Sequence, residues 1–378
     1  MTPIKKRVTL KDIAGRLGLS HPAVSQALTG SLKGTIKVSE ATRERVRIAA
    51  TEMGYRPSTV ARTLRSGRSG FIGLVHYQGM DQIATRRLLG ALDAIQPTKL
   101  RPFIHHIDPS FPDTIQDVAD ALLGAQVEAV LFLMPPPSIG HQQVEMLVRA
   151  GLPIAVIGAD WMRGVASFRD DRRKAYEDVG RHVLDLGARR ITLLGDAINP
   201  PRHRGMLEVQ RGFVAAREAF VAKSSAPPSD VQMDLCEVST HEVEEAIRRF
   251  PDVFPLYISG YAGMLKLIER GDLPEAIICQ VDAYALGAMR ACGEHGIKVP
   301  EDIAFAGFGN EAAASAGLAP LTTADHPVAE LSRLAVEDLQ LKLQGKRDLT
   351  KSGPTIKRGC QLIVRHSTSG KIFEHRIS

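Results

Sequence analysis

The sequence predicts two unlike parts: a small all-α head at the N-terminus and a much larger α/β portion built on parallel sheets. Three observations carry this. The chain has 378 residues, more than one ordinary hydrophobic core fills, so two or three domains are expected. Its charge is unevenly placed. Residues 1–68 hold 14 Lys and Arg against 4 Asp and Glu, while the other 310 hold 34 against 38. From Phe71 onward, short apolar runs alternate with longer amphipathic stretches, a pattern absent before it.

In the head, residues 9–28 read as two short helices with a tight break. Thr9 and Asp12 have the spacing of a capping box. Ile13, Ala14 and Leu17 follow at helical spacing, and Gly18 suits the left-handed stop. Ser20 is a fitting N-cap for the second helix and Pro22 fits its first turn. Val24, Ala27 and Leu28 give that helix an inner face. Ser39 caps a third helix running to about Met53, with Val46 and Ala49 or Ala50 turned inward and Gly54 ending it. A basic head of this kind suits a polyanion, although charge alone equally fits a solvated face. Residues 58–68 are polar and basic with few apolar anchors. They read as a linker that is helical only when supported, because isolated short helices are marginal.

In the larger portion the apolar runs are Phe71–Val75, Ala129–Leu133, Ile154–Ile157, Ile191–Leu194, Ala276–Cys279 and Ile303–Phe305. Between them, stretches such as Tyr176–Leu186 and Asp282–His295 have helical spacing. Apolar strands alternating with helices mean parallel sheets buried on both faces. This length suits two lobes of ~150 residues.

Several classes are excluded. No apolar run reaches the ~18 residues of a membrane span. The basic stretch Met1–Leu10 has no apolar region behind it, which argues against a signal peptide, so a cytoplasmic place is expected. Cys236, Cys279, Cys292 and Cys360 lack metal-ligand spacing and are expected to be reduced structural thiols. No nucleophile elbow, phosphate loop, zinc-protease motif or dinucleotide fingerprint appears, so an enzyme is not expected and no cofactor or metal is called for. His105 and His106, adjacent in a strand, face opposite ways and do not form a metal pair.

Three blocks carry a family resemblance. The first is Val8-Thr-Leu-Lys-Asp-Ile-Ala with Leu19-Ser-His-Pro-Ala-Val-Ser-Gln-Ala-Leu28. The second is Val38-Ser-Glu-Ala-Thr-Arg43, then Gly54-Tyr-Arg-Pro57 and Ala61-Arg-Thr-Leu64. The third is Val281-Asp-Ala-Tyr-Ala-Leu-Gly-Ala-Met289, Val299-Pro-Glu-Asp-Ile303, Gly307-Phe308 and Pro320-Leu-Thr-Thr323. In this order and spacing they resemble the lactose-repressor (LacI) family of transcription regulators.

The resemblance implies a helix-turn-helix DNA-binding head at 1–57 and a hinge helix or linker at 58–68. It implies a two-lobed sensor like a periplasmic sugar-binding protein. The N-terminal lobe would take 69–167 and 325–352, and the C-terminal lobe 168–324 and 353–367. The chain would cross near Phe168, Ala324 and Gly353, and 368–378 would be a frayed tail. It also implies a repressor, dimeric on two-fold operator DNA and gated by a small-molecule effector.

His21, Pro22 and Gln26 match the base-reading positions, and Gln pairs with adenine in a bidentate way. The alternative for His21 is a surface residue without a contact. Thr9, Ser25, Ser39, Thr42 and Arg43 match phosphate contacts, with helix capping as the rival reading for the hydroxyls. Leu64 matches a minor-groove wedge flanked by Arg62 and Arg65; otherwise it packs on the sensor. No C-terminal leucine heptad points to a tetramer.

The sensor departs from the family pattern. Val209 stands at the family's arginine, Val281-Asp282 at its Asn-Asp pair, Gly309-Asn310 at its Asp-Asp, and Gly158 where a carboxylate often follows a strand. Those groups grip sugar hydroxyls in many relatives. The remaining effector-binding candidates are His76, Tyr77, Asp108, Asp160, Trp161, Gln210, Asp282, Asn310 and His326. Trp161 would stack on a ring or anchor a loop, and Asp282 would alternatively cap the helix after it. The rival for the whole sensor is a body that binds no small molecule or answers to a protein partner.

Overall fold

A computed structural model describes residues 8–29, 38–56, 68–77, 82–108, 117–135, 141–158, 165–196, 204–224, 227–250, 252–347 and 355–369. It divides into two compact units, Met1–Gly70 and Phe71–Ser378. No described helix is long and apolar enough to cross a membrane.

The first unit holds α1 (Leu10–Leu17), α2 (His21–Thr29) and α3 (Glu40–Glu52). The Thr9 hydroxyl accepts the Asp12 N–H at 3.3 Å, and the Asp12 carboxylate accepts the Thr9 N–H at 2.8 Å, a reciprocal cap. Gly18 ends α1 at φ 62°, a left-handed conformation that costs glycine little. Ser20 Oγ accepts the Ala23 N–H at 3.3 Å, and Ser39 Oγ accepts the Thr42 N–H at 3.3 Å. Ile13, Val24 and Val46 are fully buried where the helices meet, with Ala14, Ala27, Ala49 and Ala50 around them.

The second unit opens with β1 (Phe71–Tyr77), α4 (Gln82–Ile95), β2 (Arg101–Ile107), α5 (Val118–Gly124), β3 (Ala129–Phe132), α6 (His141–Arg149), β4 (Ile154–Ile157) and β5 (Ala166–Asp170). Next come α7 (Arg172–Asp185), β6 (Arg190–Asp196), α8 (Arg204–Ser224), β7 (Gln232–Val238), α9 (Thr240–Arg249), α10 (Pro255–Arg270), β8 (Ala276–Cys279), α11 (Asp282–Glu294), β9 (Ala304–Gly309), α12 (Ala312–Ala316) and β10 (Thr322–Asp325). The chain ends with α13 (Val328–Leu343), β11 (Thr355–Arg358) and β12 (Leu362–Ile363).

Two six-stranded sheets result, in the orders β11-β5-β4-β3-β1-β2 and β12-β10-β9-β8-β6-β7. All pairings are parallel except β10 with β12. Each sheet is buried on both faces, so each lobe carries two apolar layers. The central strands β3, β4 and β8 are buried at every position, which is why they read as unbroken apolar runs.

Three expected boundaries need correction. Phe168 lies in the core of the first lobe, so the chain first crosses after Asp170. The third crossing falls after Arg358 and not near Gly353, because Thr355–Arg358 pairs with Ser167–Asp170 in the first sheet. That strand is polar and lies at the sheet edge, so no apolar run marks it. The expected frayed tail begins too early as well. Ser367 and Thr368 are fully buried. The Thr368 hydroxyl lies 2.8 Å from His182 Nε2 and 2.7 Å from Thr322 Oγ1.

Candidate nucleic-acid interface and sensor cleft

Helical spacing sorts the residues of α2. Val24 and Ala27 turn inward, which leaves His21 with Ser25, and Pro22 with Gln26, one turn apart on the other side. His21 and Pro22 are exposed, and Ser25 and Gln26 are partly covered. The start of α2 therefore presents an imidazole, a ring and an amide together. That is the face a recognition helix lays along base edges in the major groove.

Of the expected phosphate contacts, Thr9, Ser39 and Thr42 sit at helix starts, while Ser25 lies in the middle of α2. Thr9 and Ser39 are exposed N-caps. Ser39 Oγ is also 2.9 Å from Thr42 Oγ1, so both hydroxyls lie at the start of α3. Arg43 is partly covered and donates to Glu40 at 3.3 Å. Helix starts with free N–H groups favour anions. Arg62, Leu64 and Arg65 lie outside the described residues, as do Asp160 and Trp161.

In the sensor unit, His76 and Tyr77 end β1 and Asp108 follows β2. Ligands bind outside the carboxyl ends of parallel strands. Gln210 is on α8, beside the fully buried Val209. The structure does not gather these groups around one described point.

Three candidates prove to be braces. Asp282 is fully buried, and its helix has no side-chain cap. Its carboxylate accepts the Thr323 hydroxyl at 2.6 Å and the Glu311 N–H at 2.8 Å, so it ties β10 to the turn after β9 and does not cap α11. Burial, against those bonds, pushes its carboxyl up to about 6. His326 is nearly fully buried, with Nε2 2.9 Å from Asp170 Oδ2. Burial drives His326 down to about 4, outweighing the pull of Asp170. Burial works to raise Asp170, but Arg172 and His326 prevail and hold it well below the usual carboxylate range. Asn310 sits at φ 52°, accepts from Arg365 at 2.6 Å and donates to Asp325 at 3.1 Å.

These braces lie where the chain passes between lobes. Asp171 N–H donates to Arg358 O and Asp325 N–H to Gln361 O, each at 2.8 Å, so the three crossing segments are bonded to one another. Arg172 lies over Phe308, 4.6 Å from the ring centre, and the same ring meets Tyr176 and His326. From the first lobe, Arg86 on α4 donates to Gly309 O at 2.8 Å, His326 O at 3.2 Å and Asp325 at 3.3 Å. Gln82 accepts the Ala312 N–H at 2.6 Å.

Sequence reasoning missed Gln82, Arg86, Asp170, Arg172, Asp325 and Arg365. Their partners are remote in the chain, as with Arg86 and Gly309. The one local signal was the charged run Asp170-Asp171-Arg172 at a strand end. Among the described residues no three His, Cys, Asp or Glu side chains form a metal cluster.

Comparison with known proteins agrees with this geometry. The description "Bacterial regulatory proteins, lacI family" matches residues 9–58, and "Periplasmic binding protein-like domain" matches residues 181–368. Catabolite control protein A of Staphylococcus epidermidis (strain ATCC 12228 / FDA PCI 1200) is 24% identical over 309 residues, covering 80% of this chain and 82% of that protein. The lac repressor dimer bound to operator and the anti-inducer ONPF superposes with a TM-score of 0.72 at 22% identity, covering 96% of this chain and 99% of that one. The transcriptional regulator CelR in its cellobiose complex gives 0.62 at 22% identity, covering 96% and 100%. With residues 9–58 matching the lacI family of bacterial regulatory proteins and residues 181–368 a periplasmic-binding-protein-like domain, the chain is a DNA-binding transcription regulator with a LacI-family head and a periplasmic-binding-protein-like body.

Proposed function

We propose that this regulator is a repressor that binds two-fold operator DNA as a dimer and is gated by a small molecule, a sugar or sugar derivative, held between the lobes. The single observation that carries this reading is the outer side of α2, with His21 and Pro22 exposed and Gln26 partly covered beside them, in a basic head joined to a two-lobed body. Gln26 and His21 read base edges. Thr9, Ser25, Ser39, Thr42 and Arg43 fix register on phosphates. Leu64, between Arg62 and Arg65, wedges the minor groove. Dimerisation follows from operator symmetry. Leu318, fully exposed on the loop before β10, is an anchor that such an interface would bury.

Gating requires that lobe position respond to ligand. The crossing segments and the Arg86 and Gln82 ties link the lobes, so a ligand favouring one arrangement shifts the equilibrium by its differential affinity. His76, Tyr77, Asp108, Asp160, Trp161 and Gln210 are the proposed contacts. The relative CelR, named as a cellobiose complex, supports a sugar.

A second reading is favoured by the braces. Val209 is core, and Asp282 and Asn310 spend their polar atoms inside the protein. A sensor so arranged would bind no small molecule or answer to a protein partner.

A thermal-shift screen of sugars, sugar acids, sugar phosphates and nucleobases separates the two. A ligand at 100 times its Kd stabilises by ~2.7 kcal/mol. The first reading expects a hit that is weakened by Asp160→Ala and alters operator affinity. No shift across the panel, with operator binding intact, supports the second.

A further inference from the structure

Two imidazoles stand at the outer edge of the first sheet, apart from the braces at the crossing segments. β1 and β2 run parallel, and their register sets His76 beside His106. In-register residues of neighbouring parallel strands point to the same face, whereas His105 points to the other. The ring centroids are 4.6 Å apart, and Nδ1 of His76 is 3.4 Å from Nδ1 of His106. β2 is the outermost strand, His106 is exposed and His76 partly so, and solvent therefore reaches the pair.

The distance decides what this pair suits. A well-formed N–H hydrogen bond spans about 2.7–3.2 Å, so 3.4 Å is long for one. Two nitrogens each ~2.0–2.1 Å from a tetrahedral zinc ion stand about 3.3–3.4 Å apart. The two Nδ1 atoms already have that separation. We propose that His76 and His106 form a two-imidazole site for a divalent transition-metal ion of the zinc class, bound through both Nδ1 atoms. With two protein ligands, the remaining positions belong to water or to donors on a bound ligand. The site is therefore of the open, exchangeable kind and not a closed structural one. Imidazole nitrogen selects Zn²⁺, Ni²⁺ and Cu²⁺ over Mg²⁺ and Ca²⁺, which prefer oxygen.

The test is calorimetric titration of the full chain, expressed without a histidine tag and freed of metal by a chelator. One Zn²⁺ per chain should bind, with Cu²⁺ tighter and Mg²⁺ silent. Zn²⁺ affinity should fall by more than about tenfold in His76→Ala and in His106→Ala and stay unchanged in His105→Ala. His76→Asn and His106→Asn serve if an alanine variant fails to fold. Visible absorption of the Co²⁺-loaded parent, with bands of a tetrahedral nitrogen-ligated ion, gives a readout independent of any variant. No binding by the parent, or binding unaffected in both folded variants, overturns the proposal.

Discussion

At the scale of residues, two buried groups of the sensor, His326 beside the crossing segments and Asp282 within the second lobe, titrate in opposite senses. His326 is depressed from 6.5 to about 4 in the folded chain. Its contribution to stability is fully present above 6.5 and is lost as pH falls through about 4. Asp282 is raised from 3.8 to about 6, so its contribution is present below 3.8 and is lost as pH rises through about 6. Between roughly pH 4 and 6 the two slopes oppose each other. His326→Gln should therefore be less acid-sensitive than the parent in this window, and Asp282→Asn more so. Urea denaturation midpoints across the window check this, and parallel profiles for all three proteins would contradict it.

Legibility at this scale followed distance along the chain. The Thr9, Ser20 and Ser39 caps were readable because each bonds a partner three residues away. The capping alternative for Asp282 fails because its partners, Glu311 and Thr323, are brought to it only by the sheet.

At the scale of elements, α10 and α11 pack with almost no space between their backbones. A Cβ added at Gly287 would lie 1.8 Å from Tyr257 O, and one at Gly260 would lie 2.0 Å from Tyr284 O. These contacts are with backbone, so no side chain can swing aside. Gly287→Ala should force the helices apart and cost on the order of 1–3 kcal/mol or more. Urea denaturation of the variant measures this, and an unchanged midpoint would contradict the packing. The strands show the same contrast between local and remote cause. The buried β3, β4 and β8 announced themselves as apolar runs. β11, with the sequence Thr-Ile-Lys-Arg, exists only because β5 offers it an edge, so the third crossing was misplaced.

At the scale of the molecule, the partition of charge, the change of pattern at Phe71 and the three family blocks together fixed the architecture. The sensor's departures from the family were also visible as residue identities. What replaced them was not, because the Arg86 and Asp170 contacts form only across the lobes and the Arg365 contact only once β9 and β12 share a sheet. The proposed function turns on whether α2 reads a specific duplex through Gln26 and its neighbours.

The most direct test selects a duplex from random sequence with the full chain. Fluorescence anisotropy then compares it with a scrambled duplex at several salt concentrations. The selected duplex should bind at least about 10³-fold more tightly, and both affinities should fall as salt rises. Gln26→Ala should cost about 1–3 kcal/mol on the selected duplex and leave the scrambled one nearly unchanged. Failure to select any sequence, or an equal loss on both duplexes, would contradict the account.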